Sequence, residues 1–96
     1  MITVLIADDQ TMFGSALASL INEEEDLEIV RVCRDGQEAL DSIVTYIPNV
    51  ALLDIEMPKL NGLDVLDEVQ KQGINTKIAI LTTFQSPGYV RRALES

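Results

Sequence analysis

Three apolar stretches in this chain run directly into side chains that carry oxygen. Ile2-Thr3-Val4-Leu5-Ile6-Ala7 leads into Asp8-Asp9, Val50-Ala51-Leu52-Leu53 into Asp54, and Ile78-Ala79-Ile80-Leu81 into Thr82-Thr83. Adjacent carboxylates repel one another, so Asp8-Asp9 needs solvent, a helix N-terminus or a cation. Asp54 alone reads equally well as a loop cap, since Asp is common at turns. Together the three stretches offer more. Three carboxylates brought close need a hard cation. Oxygen ligands alone, in a chain with no histidine and a single cysteine, point to Mg²⁺ or Mn²⁺ rather than zinc. A divalent cation beside a carboxylate recruits phosphate oxygens. Asp54 can then act as a nucleophile and form an acyl phosphate, and Thr82 can donate its hydroxyl to a phosphoryl oxygen.

These residues meet only if the chain folds to bring the strand ends together. Residues 2–7, 50–53 and 78–81 are too short for helices of their own and read as buried strands. Residues 27–33 alternate, with charges at Glu28 and Arg31, as an edge strand does. Between them lie helical patterns. Phe13, Leu17, Leu20 and Ile21 form the expected buried face of a helix over residues 11–22, with Gly14 allowing close packing. The charge run Glu23-Glu24-Glu25-Asp26 reads as a solvated loop. Asp35-Gly36-Gln37-Glu38 resembles a capping box, and Ala39, Leu40, Ile43, Val44 and Ile47 supply the next core face up to Pro48. Asn61-Gly62 marks a turn, and a third helix over residues 62–72 buries Leu63, Leu66 and Val69. Its outer face carries Asp64, Asp67, Glu68 and Lys71, and Gly73 stops it. Ser86-Pro87 is an N-cap signal for a short helix over residues 88–94.

Strict alternation of strand and helix predicts an α/β fold with a parallel sheet and helices on both faces. All three functional strand ends then lie on one side. If the first and third strands are neighbours, with the second outside the first, the crevice between them is a topological switch point, where ligands bind in such sheets. With 96 residues the chain makes one small domain. Its longest apolar runs cannot span a bilayer. Met1-Ile2-Thr3-Val4 lacks the basic start of a signal peptide, and the lone Cys33 can form no internal disulfide. A cytoplasmic setting without membrane contact is expected. A net charge of −9 makes the chain by itself a poor nucleic-acid binder and favours a cation or a basic partner.

Ile6-Ala7-Asp8-Asp9-Gln10, Leu53-Asp54-Ile55-Glu56-Met57-Pro58-Lys59-Leu60-Asn61-Gly62 and Ile80-Leu81-Thr82-Thr83-Phe84 resemble the receiver domain of two-component response regulators, in the same order and over nearly the whole chain. Thr82-Thr83-Phe84 with Ser86-Pro87-Gly88-Tyr89 is similar to the LuxR-type (NarL/FixJ) branch and, within it, to DesR-like regulators of membrane-lipid genes. The resemblance implies a flavodoxin-like doubly wound sheet of order 2-1-3-4-(5), with the fifth strand and helix, and the family's lysine, beyond Ser96. It implies a truncated receiver domain over residues 1–96 that is not an enzyme in its own right. Asp54 would be the phosphoacceptor, receiving a phosphoryl group from a histidine kinase. Asp9 and Asp54, the backbone carbonyl of Glu56, and Asp8 mostly through water would hold Mg²⁺. Thr82 would be the switch hydroxyl. A helix-turn-helix domain downstream, outside this chain, would contact DNA and regulate transcription. Phosphorylation, or a fourth strand left as an edge, would favour self-association. Phosphatases of the haloacid-dehalogenase type also use a strand-end Asp and a later Thr. They resemble Asp-x-Asp, where this chain has Asp54-Ile55-Glu56.

Overall fold

Among the described residues, aliphatic runs stopped by polar or turn residues form four strands, and the periodic stretches between them form three helices. The computed structural model describes residues 1–9 and 11–81, with the backbone alone for residues 11–13. In chain order the elements are β1 (Ile2–Ala7), α1 (Thr11–Asn22), β2 (Leu27–Cys33), α2 (Gly36–Tyr46), β3 (Val50–Asp54), α3 (Gly62–Lys71) and β4 (Lys77–Leu81). The strands pair in parallel in the order β2-β1-β3-β4. The chain thus leaves β1 to one side for β2 and returns to its other side for β3. This is the reversal that opens a crevice at the strand ends. The residues expected to form a helix over 88–94, with Ser86-Pro87 before it, lie outside the described residues, as does Phe13's side chain.

Successive strand residues point to opposite faces. Leu5, Ala7, Ala51 and Leu53 form one face and pack with Ala39 and Ile43 of α2 and Val65 and Val69 of α3. Val4 and Ile6 on the other face are also buried. There α1 lies closest to β2, with Gly14 buried and the site of its missing Cβ 3.4 Å from Val32 Cγ1. The predicted close packing at Gly14 is therefore present.

Several expected core positions are not in the core. Leu20 is 62% exposed, and Leu17 and Ile21 are only half-buried, because α1 leans on the edge strand β2 instead of the sheet centre. Val44 and Ile47 are exposed as well. The last turn of α2 runs past the packed layer, and buried Ser42, which accepts the Cys33 thiol at 3.6 Å, takes a place on its inner face. Val65 joins Leu63 and Val69 in the core, while Leu66 is half-buried. Of β4, expected to be buried, Ile78, Ile80 and Leu81 are half-buried and Ala79 is exposed. β2 behaves as an edge strand, with Glu28 and Arg31 in solvent.

The starts of α2 and α3 are fixed by side chains. Asp35 accepts the Glu38 N–H at 2.8 Å, but Glu38 does not return the bond. Its carboxylate pairs with Arg31 at 3.3 Å, so the expected capping box is half made. A complete box opens α3, where Asn61 accepts the Asp64 N–H at 2.9 Å and Asp64 accepts the Asn61 N–H at 3.2 Å. Removing such a cap costs about 0.5–2 kcal/mol. Asn61→Ala is therefore expected to lower the urea midpoint with an unchanged slope. An unmoved midpoint would mean the cap adds nothing to stability.

Candidate functional site

Register brings the acidic residues together. β1 and β3 pair Ala7 with Leu53, so the next residue of each strand direction, Asp8 and Asp54, fall side by side. The Asp8 N–H donates to the Cys33 carbonyl at 3.0 Å, which keeps Asp8 in the sheet. Asp8 and Asp54 are buried, with 4% and 3% exposure, and Asp9 is exposed. One carboxylate oxygen from each of Asp8, Asp9 and Asp54 lies within 4.8 Å of the others.

Burial is the main force on Asp54. It pushes the carboxyl from its ordinary 3.8 up to about 6, the negative charge of Asp8 and then that of Asp9 add to the rise, and the Glu56 and Ile55 backbone N–H groups oppose it. Asp54 Oδ1 is buried without a hydrogen-bond partner. A buried carboxylate oxygen left without a donor is costly. Three converging carboxylates with one buried oxygen unsatisfied are a donor set that fits a hard divalent cation. The same oxygen stands at the end of a central strand, where it can also attack an electrophile. Cys33 has no such character. Burial pushes its thiol up, which keeps it a protonated packing group.

The loop after Asp54 closes back on it. The Gly62 N–H donates to the Ile55 carbonyl at 2.9 Å, and a Cβ on Gly62 would fall on the Asp54 carbonyl oxygen. Within the loop, the Leu60 N–H donates to the Pro58 carbonyl at 2.9 Å across Lys59, whose φ is 72°. This is a γ-turn of the strained hand. Glu56 is exposed on this loop.

Of the residues singled out in the sequence, Asp8, Asp9 and Asp54 come together, and Glu56 stands two residues beyond Asp54. Thr82 lies outside the described residues. It directly follows Leu81, which pairs with Asp54 across β3 and β4. Sequence reading passes over Gly36 and Lys59, which shape the loop from outside the cluster. Asp35-Gly36 is visible as part of a helix cap and Asn61-Gly62 as a turn, but the contacts they make are tertiary.

The profile of the response regulator receiver domain matches residues 4–96. This chain belongs to that family. It is 45% identical over 96 residues to the uncharacterized transcriptional regulatory protein YvfU of Bacillus subtilis, covering all of this chain and 48% of that protein. It is equally similar, at 45% over 96 residues, to the transcriptional regulatory protein DesR of the same organism, covering all of this chain and 47% of that protein. The receiver chain thus spans about half the length of these relatives. A DNA-binding response regulator of the LuxR family from Staphylococcus aureus superposes with a TM-score of 0.91 at 42% identity, over 99% of this chain and 79% of that one. The response regulator domain of Thermotoga maritima CheB superposes at 0.88 and 30% identity, over 99% of this chain and 72% of that one. The flavodoxin-like fold and the LuxR-type resemblance both stand. Equal identity to YvfU and DesR does not single out either. No helix among the described residues is long and apolar enough to cross a membrane.

Proposed function

We propose that this receiver domain is a phosphorylation-controlled switch whose phosphoacceptor is Asp54. The observation that carries the reading is the buried, unpartnered Oδ1 of Asp54, set at the end of β3 among the carboxylates of Asp8 and Asp9. The phosphodonor is a histidine kinase. An Asp54 oxygen attacks the phosphorus of a phosphohistidine, the O–P bond forms, the P–N bond breaks, and the imidazole leaves with the electron pair and takes a proton from solvent. A pKa of about 6 leaves Asp54 mostly ionised at neutral pH and more basic than an ordinary carboxylate. Asp8, Asp9, Asp54 and the backbone carbonyl of Glu56 are the residues that would hold Mg²⁺, or Mn²⁺ in its place. When bound, the cation offsets the like charges and binds phosphoryl oxygens. The chain itself turns over no substrate. Transcription control, as in the relatives named above, would pass through a DNA-binding half, in the cytoplasm.

Incubation with acetyl phosphate and MgCl₂ tests this, with intact mass as the readout. One phosphoryl group per chain is expected. Multiple turnover on a phosphate ester would instead indicate a phosphatase, and no uptake at all would contradict the reading.

Thr82 is assigned the coupling of phosphorylation to conformation, because it directly follows the residue paired with Asp54. One hydrogen bond from a hydroxyl to a charged oxygen is worth about 1.5–3 kcal/mol. That shifts a two-state equilibrium by about 10- to 150-fold, in the range of allosteric coupling. Thr82→Ala is expected to accept phosphate but to respond weakly in NMR amide shifts. A full wild-type shift pattern in the phosphorylated variant would remove Thr82 from this role.

A further inference from the structure

The N-terminus of α2 grips the loop that follows Asp54. The first N–H groups of a helix need acceptors from outside it. The Asp35 carboxylate takes that of Glu38, while the Gly36 N–H reaches across to the Pro58 carbonyl at 3.2 Å. Pro58 therefore accepts twice, from Gly36 and from Leu60, and the second of these bonds spans the strained Lys59. Lys59 Nζ lies 3.6 Å from Asp35 Oδ2. The Lys59 side chain is 67% exposed, so this ion pair is a weak restraint. The stronger restraint is steric. Gly36 is buried, and a Cβ there would fall on the Leu60 carbonyl oxygen and crowd its carbonyl carbon and Cβ. A backbone carbonyl cannot swing aside as the end of a long side chain can.

Displacement at Leu60 has little slack to absorb it. The next residue, Asn61, is fixed by both bonds of its capping box. The one after, Gly62, rests on the Asp54 carbonyl and bonds Ile55. The loop is thus held at its tip by α2 and at its foot by Asp54 itself. A non-glycine residue at positive φ persists only where its surroundings hold it there, and such outliers cluster at functional sites.

We propose that Asp35-Gly36 is a positioning clamp on residues 55–61, holding the Pro58-Lys59-Leu60 turn in the geometry that divalent-cation binding at Asp8, Asp9 and Asp54 requires. The clamp acts on the cluster through this loop. This inference rests on the reading of that cluster as a Mg²⁺ site, and the experiment separates the two.

MgCl₂ is titrated into the full chain, with binding read from NMR amide shifts and stability from thermal melting. Gly36→Ala is expected to weaken Mg²⁺ binding at least 5-fold. Gly73→Ala is the matched control. Gly73 has φ 65° with nothing within 4 Å, so its substitution strains the backbone and lowers Tm without reaching the loop. It should leave Mg²⁺ affinity as in wild type. Lys59→Gly relieves the positive φ and removes the ion pair at an exposed position, so it keeps the experiment decisive if Gly36→Ala does not fold. Its expected signature is a Tm equal to or above wild type with about 3-fold weaker Mg²⁺ binding, a split that simple destabilisation does not produce. Wild-type affinity in Gly36→Ala, or in Lys59→Gly where Gly36→Ala is unfolded, would overturn the clamp. Equal weakening in Gly73→Ala would overturn it too. Failure of the wild-type chain to bind Mg²⁺ would instead overturn the reading of the cluster.

Discussion

Asp54→Asn is expected to take up no phosphoryl group from acetyl phosphate and Mg²⁺ under conditions that label the wild-type chain once. The substitution preserves shape and removes the nucleophile, because an amide oxygen does not form a stable acyl phosphate. The two carboxylates nearby are not expected to replace it. Asp8 is held in line with β1 by its bond to Cys33, and Asp9 is exposed to water. Asp54 combines burial, an oxygen without a hydrogen-bond partner and a raised pKa at the end of a central strand. Label in Asp54→Asn at wild-type stoichiometry would move the acceptor elsewhere.

A second large effect is expected in stability without metal. The folded-state pKa of Asp54 is about 6, against an ordinary 3.8. Between those values the folded chain holds a proton that the unfolded chain has lost. Stability from this group is therefore fully present below about pH 4 and is lost as pH rises through about 6. At 1.36 kcal/mol per pH unit of pKa difference, the loss is about 3 kcal/mol. Asp54→Asn carries no charge to desolvate. Urea melts in EDTA should show it more stable than wild type by up to about 3 kcal/mol at pH 8, with the gap closing by pH 4. Mg²⁺ should close most of the gap at pH 8. A ligand at 100 times its Kd adds about 2.7 kcal/mol to a protein that binds it only when folded. Wild type should gain this and Asp54→Asn little of it. Parallel stability curves for the two proteins from pH 4 to 8 in EDTA would show that Asp54 is not strained by its surroundings.

Much of this site is legible in the sequence because it depends on strand ends. An apolar run that stops at Asp8 or Asp54 places the carboxylate at a sheet edge whatever the helices do, and parallel strands put those ends on one side. Strand order follows from strict alternation and the resemblance together. The helix faces are less legible. Leu20, Val44 and Ile47 have the spacing of core residues, but how far a helix overhangs the sheet depends on crossing geometry, which periodicity does not encode. The grip of Gly36 on Leu60 is also invisible in the sequence. Asp-Gly reads as a cap, and nothing local says that a loop more than twenty residues away leans on the missing side chain.

The acyl phosphate can be located chemically. Borohydride reduces an aspartyl phosphate to homoserine, and tandem mass spectrometry of the digested protein then reads the position. After phosphorylation of the wild-type chain in Mg²⁺, homoserine is expected at residue 54 and at no other position. Homoserine at residue 8 or 9 with none at 54, or none anywhere in a chain that had gained a phosphoryl group, would contradict Asp54 as the phosphoacceptor.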